Sequence, residues 1–100
     1  MADMLGIMVT KYADIEHIEG VVKAARASGH PVSIFLTDDG VRFTRDPRFQ
    51  ALLSIQGVEF SCCDHSCERL NIHEKTDGIV YGSQYNNAAM LHDSTRVLVF

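Results

Sequence analysis

Residues 58–72 read VEFSCCDHSCERLNI, and this stretch contains the point where strand-forming residues give way to helix-forming ones. An apolar run at 57–60 is followed by Ser-Cys-Cys-Asp-His-Ser, whose members favour turns and helix N-caps. We therefore predict a strand over 58–62 and a short helix over 63–70. Asn71 is a suitable left-handed terminator for that helix. All three cysteines of the chain lie in this stretch.

The same alternation continues on both sides of residues 58–72. Short apolar runs predict four more strands, at 5–10, 32–37, 79–81 and 96–100. Amphipathic periodicity predicts three more helices: one opening at Ala13 or Asp14 and stopped by Gly29, one within 44–55 starting near Asp46 or Pro47, and one over 86–92 capped by Asn86 or Asn87.

Strands that alternate with helices through short links indicate a three-layer α/β/α fold with a parallel sheet of about five strands. The 100 residues are the size of one domain, so we expect a single domain over 1–100. In open sheets of this type, ligands bind beyond the carboxyl ends of the strands. The loops expected to gather there are 11–14, 38–42, 62–65 and 82–86, which places the cysteines at the functional edge.

Cys63 is the main candidate for chemistry. At a strand-to-helix junction, backbone N–H groups and the helix dipole stabilise a thiolate, so Cys63 is a candidate nucleophile or persulfide carrier. If Val58 and Phe60 share a face of the strand, Cys62 continues it and Cys63 begins the turn. The alternative is that Cys62 or Cys63 packs as a small apolar residue, as free cysteines often do.

Four further residues are candidate supporting groups. Cys67 follows Cys63 by one helical turn on the predicted same face, as a resolving thiol or as a core contact. His65 could supply a positive charge or a proton. Lys11 and Tyr12 follow the first strand and could add a charge and a hydroxyl, or could form an exposed loop pair.

Several classes of site are disfavoured. Adjacent cysteines point apart on a strand, and the Cys/His spacing does not match that of structural zinc sites. The chain has no G-x-G-x-x-G, no Walker A motif and no G-x-S-x-G. We therefore expect no metal and no cofactor.

Charge and hydropathy limit the partners and the compartment. A net charge of -4 argues against nucleic acid. No run reaches the roughly 18 apolar residues of a membrane span, and residues 1–4 do not start a secretory signal. An odd number of clustered cysteines fits a reducing cytoplasm.

Several short motifs, in order along the chain, resemble the DsrE/DsrF/TusD-like family of small sulfur-relay proteins. The first is ARASGHPV at 25–32, of the type A-x-x-x-G-H-x-V, and Phe35 with Asp39-Gly40-Val41 follows. Gly57-Val58 leads into the cysteine loop, and the last is 93–100 around Arg96-Val97.

The register of the cysteine loop selects Cys63 as the family's cysteine. Cys63 lies eight positions before Asn71, which takes the place of the family's glycine, and Ile72 follows as the aliphatic residue. Asn71 and the additional Cys62 are the two departures from the pattern. Asparagine tolerates the left-handed conformation that the glycine would adopt.

The resemblance implies an α/β/α fold of flavodoxin-like arrangement and a cysteine that carries sulfane sulfur as a persulfide. It also implies association with copies or related subunits into dimers, trimers or hexamers. The partners would be sulfur donor and acceptor proteins, including DsrC/TusE-like acceptors. Such a carrier would be a cytoplasmic sulfurtransferase.

Two other functions are kept as alternatives. One is a non-catalytic oligomeric subunit or adaptor of the same fold, which a packed Cys63 would favour. The other is a thiol redox sensor that forms a reversible disulfide between Cys63 and Cys67.

Overall fold

Five parallel strands form the central sheet of the computed structural model, which describes residues 3–100. They are β1 (Leu5–Val9), β2 (Val32–Leu36), β3 (Val58–Cys63), β4 (Val80–Gly82) and β5 (Arg96–Val99). The strand order is β4-β3-β2-β1-β5, which the sequence did not predict. The predicted α/β fold with a five-stranded parallel sheet is confirmed.

Four α-helices connect the strands: α1 (Ile15–Ala27), α2 (Pro47–Gln50), α3 (Asp64–Arg69) and α4 (Gln84–Asp93). From β1 to β4 the chain advances in one direction across the sheet, and from β4 to β5 it returns past β1. Because parallel crossovers are right-handed, the first three connections cover one face and α4 alone covers the other.

The main core lies between the sheet and the face covered by α1, α2 and α3. Apolar side chains of β1, β2 and β3 pack there against α1 and against residues 41–52. The ring of Phe49 lies 5.6 Å from that of Phe43 and 5.6 Å from that of Phe60. Each fully buried side chain of this size contributes about 1.5–3 kcal/mol through the hydrophobic effect, so this face holds most of the stability.

The helix predicted within 44–55 begins at Pro47, as expected, but it is α-helical for one turn only and continues as a 3-10 helix. A 3-10 helix covers Asp38–Arg45, α2 is a single turn, and a second 3-10 helix covers Ala51–Ser54. The carboxylate of Asp46 accepts a hydrogen bond from the Arg48 N–H at 2.8 Å, and Pro47 occupies the first turn. These two residues start a new helix at 47, as predicted, but they also prevent the preceding turn from continuing into it. Residues 38–42, predicted as a loop, form the first part of the 3-10 helix over Asp38–Arg45.

Two helix starts differ from the prediction. Cys63 is the last residue of β3 and the N-cap of α3, so α3 begins at Asp64. Helix α4 begins at Gln84 and not at Asn86, because Ser83 accepts from the Tyr85 N–H at 3.2 Å and Asn86 accepts from the Ser83 N–H at 2.9 Å. This reciprocal capping box extends the helix by two residues. Asn71 has φ +60°, which confirms it as a left-handed terminator.

The face under α4 is only partly covered. Its buried cluster consists of Phe35, Cys63 and Met90, with Met8 packed against it. Beyond this cluster, apolar side chains of β4, α4 and β5 are exposed: Val80, Tyr85, Leu91, Val97, Leu98 and Val99. Within residues 3–100, no helix has the length and apolar character needed to span a membrane.

Candidate functional site

Cys63 lies at the carboxyl end of β3, where the sheet turns into α3. Its strand neighbour is Gly82 on β4, and its side chain points to the face covered by α4, beside Phe35 and Met90. A Cβ atom on Gly82 would collide with the side chain of Asn86, which caps α4. Glycine at 82 therefore lets α4 start directly beside Cys63.

A pocket of about 480 Å³ opens next to Cys63. Residues from three loops line it, each loop following a different strand: Thr37, Asp38, Cys63, His65, Ser66, Arg69, Gly82, Ser83 and Gln84. The prediction that loops after β2, β3 and β4 gather at this edge is therefore confirmed. The loop at 11–14 contributes no residue to the pocket lining.

The pocket favours the thiolate form of Cys63. Burial by itself would raise the pKa of the Cys63 thiol, which is 5% exposed. Hydrogen bonding from the side chain and backbone N–H of Ser66, the amide of Gln84 and the backbone N–H of His65 outweighs burial and lowers the pKa. The neutral side chain makes no capping hydrogen bond to α3, so the N–H groups in the first turn of α3 remain available to an anionic sulfur.

Residues after β2 hold both side-chain donors in place. The backbone N–H of Asp38 donates to Ser66 Oγ at 3.1 Å, which leaves the Ser66 hydroxyl proton free for another acceptor. Gln84 Nε2 donates to Thr37 Oγ1 at 3.2 Å. Asp38 has φ +50°, an uncommon conformation for a residue with a side chain, and this conformation directs its N–H toward α3.

Both signs of charge lie at the rim of the pocket. The Arg69 guanidinium pairs with the Asp38 carboxylate at 3.3 Å, and both side chains are more than half exposed. His65, a predicted supporting residue, lines the same pocket and is exposed. The rim can therefore meet an anionic substrate with a cation that is already oriented by its partner.

Cys62 and Cys67 belong to a different environment. They are 0% and 1% exposed, and their sulfur atoms are 4.0 Å apart in the main core. Burial raises the pKa of both thiols. The prediction that Cys67 shares a face with Cys63 is wrong, because α3 turns Cys67 toward Cys62 while Cys63 ends a strand whose residues alternate between faces.

Lys11 and Tyr12, the remaining predicted supporting residues, lie away from the pocket lining. The Tyr12 hydroxyl donates to Asp46 Oδ2 at 2.8 Å, and its ring packs edge-on against Phe43 with centroids 4.8 Å apart. Asp46 in turn accepts from Arg48, and this holds the pKa of the Asp46 carboxyl well below its usual range. Tyr12 thus anchors the start of α2.

Sequence reasoning missed Thr37, Ser66 and Gln84. Ser66 is three residues after the N-cap Cys63, the position from which a side chain reaches back in a capping box, so the spacing was a usable signal. Gln84 and Thr37 come from other loops, and no local pattern relates them to Cys63. Within residues 3–100, no three histidine, cysteine or acidic side chains are grouped so that they could hold a metal ion.

Comparison with known proteins identifies the family and supports the fold. Residues 8–100 match the sequence model of the DsrE/DsrF-like family. The chain belongs to the DsrE/DsrF-like family. The crystal structure of the YchN protein from E. coli has a similar fold, with a TM-score of 0.73, 17% sequence identity and 100% of each chain covered. No protein with a curated description matches the chain.

Proposed function

We propose that this DsrE/DsrF-like protein is a sulfur carrier in which Cys63 accepts sulfane sulfur as a persulfide and passes it on. The observation that carries the proposal is the Cys63 thiol, whose pKa is lowered although it is 5% exposed, at the wall of a pocket lined by hydroxyl, amide and guanidinium groups. A thiolate is the nucleophilic form of cysteine, and the lowered pKa increases its fraction relative to that of an ordinary cysteine.

The reaction is an exchange without net oxidation. The Cys63 thiolate attacks the outer sulfur of a donor persulfide, R–S–SH, and a new S–S bond forms. The donor S–S bond breaks, its electron pair leaves on R–S⁻, and the proton stays on the transferred sulfur. Transfer to an acceptor thiolate repeats this step in the opposite direction and regenerates the Cys63 thiolate.

The hydrogen-bond donors around the Cys63 sulfur favour this exchange. A persulfide is also anionic at neutral pH, so the groups that stabilise the thiolate, Ser66 and Gln84, can stabilise the product as well. The reactants would be donor and acceptor proteins of a sulfur relay, whose cysteine must reach the rim between Arg69 and Ser83. A reducing compartment such as the cytoplasm would keep the thiol and the acceptor competent.

Association with further copies or related subunits is part of the proposal. Three consecutive apolar residues, Val97, Leu98 and Val99, are exposed on β5, which is an edge strand of the sheet formed by residues 3–100. An exposed apolar edge strand offers unpaired backbone groups on which another chain can pair. Light scattering should give a mass of at least two chains for the wild type and a smaller mass for Leu98→Lys. A monomeric wild type would contradict this part.

A second candidate is an adaptor subunit that uses the fold to bind a partner without chemistry. The small exposed fraction of Cys63 favours it, because a donor cysteine must enter the pocket to reach the sulfur. The redox-sensor alternative has less support, since Cys67 packs against Cys62 and not against Cys63.

Intact mass spectrometry after incubation with a sulfane-sulfur donor separates the carrier from the adaptor. The carrier should gain one sulfur that a reductant removes, in the wild type, Cys62→Ser and Cys67→Ser, and should gain none in Cys63→Ser. Absence of a gain in all four proteins would favour the adaptor. If only Cys62→Ser loses the added sulfur, the protein is a sulfur carrier but the reactive residue is Cys62 and not Cys63.

A further inference from the structure

Helix α4 carries two amides that contact each other beside the Cys63 pocket. Asn87 Nδ2 donates to Gln84 Oε1 at 3.3 Å, across one turn of the helix. Gln84 Nε2 then donates to Thr37 Oγ1 at 3.2 Å. The two bonds form a chain that starts on α4 and ends on the loop after β2, and Gln84 lines the pocket in the middle of it.

The direction of this chain determines which end of the Gln84 amide faces the sulfur. A neutral amide has one oxygen and one NH₂ group with two protons. Because Asn87 donates to the oxygen, the NH₂ group is turned toward Thr37, which lines the same pocket as Cys63. One proton of that NH₂ group remains after the bond to Thr37. With Asn87 in its observed orientation, reversal of the Gln84 amide would place its NH₂ group against the NH₂ group of Asn87.

Within residues 3–100, the side chain of Asn87 includes an unpaired buried atom, which should lower the stability of the protein. Its Oδ1 atom is shielded from solvent, and no donor among residues 3–100 reaches it. A buried acceptor without a partner destabilises a protein, so it calls for a compensating role. The other end of the same side chain, Nδ2, provides that role through its bond to Gln84.

We propose that Asn87 is a positioning residue that locks the Gln84 amide with its NH₂ group toward Cys63, and that Gln84 thereby stabilises the anionic sulfur. The proposal rests on the sulfur-carrier function and adds the device that selects the thiolate. The lowered pKa of the Cys63 thiol, to which the Gln84 amide contributes, is consistent with it. A lock on α4 acts on the sulfur from the side opposite to α3.

Charged groups near the sulfur come from the other two sides of the pocket. Asp38 follows β2, and His65 and Arg69 belong to α3, with Asp64 beside them paired to Lys75 at 3.2 Å. The pocket residues from β4 and α4 are Gly82, Ser83 and Gln84, which carry no charge. Neutral substitutions on α4 therefore leave every charge around Cys63 in place, so a change in the thiol pKa reports on the amides.

The test is the pH dependence of Cys63 alkylation by iodoacetamide, followed at the Cys63 peptide, in Gln84→Leu, Asn87→Leu and the double variant. Gln84→Leu should raise the apparent pKa by about one to two units, the size expected for one hydrogen bond to an anion. Asn87→Leu should raise it by a smaller amount, because the amide is freed but still present. In the Gln84→Leu background, Asn87→Leu should add nothing.

Stability measurements provide a readout that separates positioning from structural damage. Asn87→Leu removes the unpaired acceptor, so its urea midpoint should equal or exceed that of the wild type while its thiol pKa rises. Tyr85→Ala is the matched control on the same helix: Tyr85 is 82% exposed and absent from the pocket lining, so the pKa should not change.

Three results would overturn the inference. They are an unchanged or lowered pKa in Gln84→Leu, an unchanged pKa in Asn87→Leu, and additive shifts in the double variant. Alkylation does not require persulfide formation, so the pKa series can support the lock even if no sulfur is transferred. That result would contradict the carrier function but would still support the positioning of the Gln84 amide by Asn87.

Discussion

Cys62 and Cys63 are adjacent in the chain and yet lie in opposite environments. Cys62 points into the main core and touches Cys67, while Cys63 points to the face of α4 and lines a polar pocket. Burial raises the pKa of the first thiol, and surrounding donors lower that of the second despite its burial. Exposure alone does not distinguish the two residues, since both are buried.

The comparison shows that the pKa of each thiol depends on which groups surround its sulfur atom. Both cysteines lose water, but only Cys63 regains hydrogen-bond donors, from Ser66, Gln84 and the first turn of α3. The alternation of side chains along β3 separates the two environments, so a shift of one residue in the strand would exchange them.

The largest expected contrast is in alkylation rate. Near neutral pH, iodoacetamide should modify Cys63 at least about a hundred-fold faster than Cys62 or Cys67, because the pKa of Cys63 is lowered and those of the other two thiols are raised. Peptide mass spectrometry on partially alkylated native protein gives the three rates. Comparable rates at all three positions would contradict the contrast.

Serine substitution should affect the free energy of unfolding differently at positions 62 and 63. Cys62→Ser places a hydroxyl in the apolar core beside Cys67 and should lower the free energy of unfolding by about 1–3 kcal/mol. Cys63→Ser should lower it by less than about 1 kcal/mol, because polar groups of the pocket can bond the hydroxyl. Urea unfolding measures both. An equal loss in the two variants would show that the pocket does not receive a polar group better than the core.

The two thiols should also differ in how their contribution to stability depends on pH. A thiol has an unfolded pKa of about 8.5. The folded pKa of Cys63 is lower, so its contribution is full above about 8.5 and is lost as the pH falls through the folded value. The folded pKa of Cys62 is higher, so its contribution is full below about 8.5 and is lost as the pH rises above it.

Unfolding of the wild type, Cys62→Ala and Cys63→Ala at about pH 7 and about pH 9.5 tests these signs. The deficit of Cys63→Ala relative to the wild type should grow with pH, and that of Cys62→Ala should shrink. If both deficits move in the same direction, the two environments are not opposite.

The smallest expected effect concerns the charge at the pocket rim. Arg69→Gln should lower the rate of Cys63 with anionic iodoacetate by about two- to three-fold relative to neutral iodoacetamide, because an exposed cation attracts the anion weakly. Arg42→Gln is the matched control, since Arg42 is an exposed arginine outside the pocket that pairs with Asp39 at 3.8 Å. If the ratio of the iodoacetate rate to the iodoacetamide rate changes equally in both variants, the effect comes from the net charge of the protein and not from the position of Arg69.

Much of the fold could be predicted because its signals are local. The apolar runs of the five strands, Gly29 after α1 and Asn71 after α3 each act within a few residues. The start of α4 was misplaced because the capping Ser83 lies before the apolar pattern that suggested Asn86. Strand order depends on pairing between distant residues, which no local pattern specifies.

The candidate site could be predicted only in part, for a similar reason. Cys63 stands out because its junction is visible in the sequence. The lock formed by Thr37, Gln84 and Asn87 joins a loop after β2 to a helix after β4, and the direction of an amide depends on all three positions. The partner of Cys67 was mistaken because helical spacing was extended one residue too far, into the strand.

A thiolate titration by ultraviolet absorbance directly tests whether Cys63 is the cysteine with the lowered pKa. In the native wild type, one thiolate should form below the ordinary cysteine pKa and the other two above it, and the early step should disappear in Cys63→Ser alone. An early step that survives in Cys63→Ser, or three thiols that titrate together, would contradict the assignment of the activated cysteine to position 63.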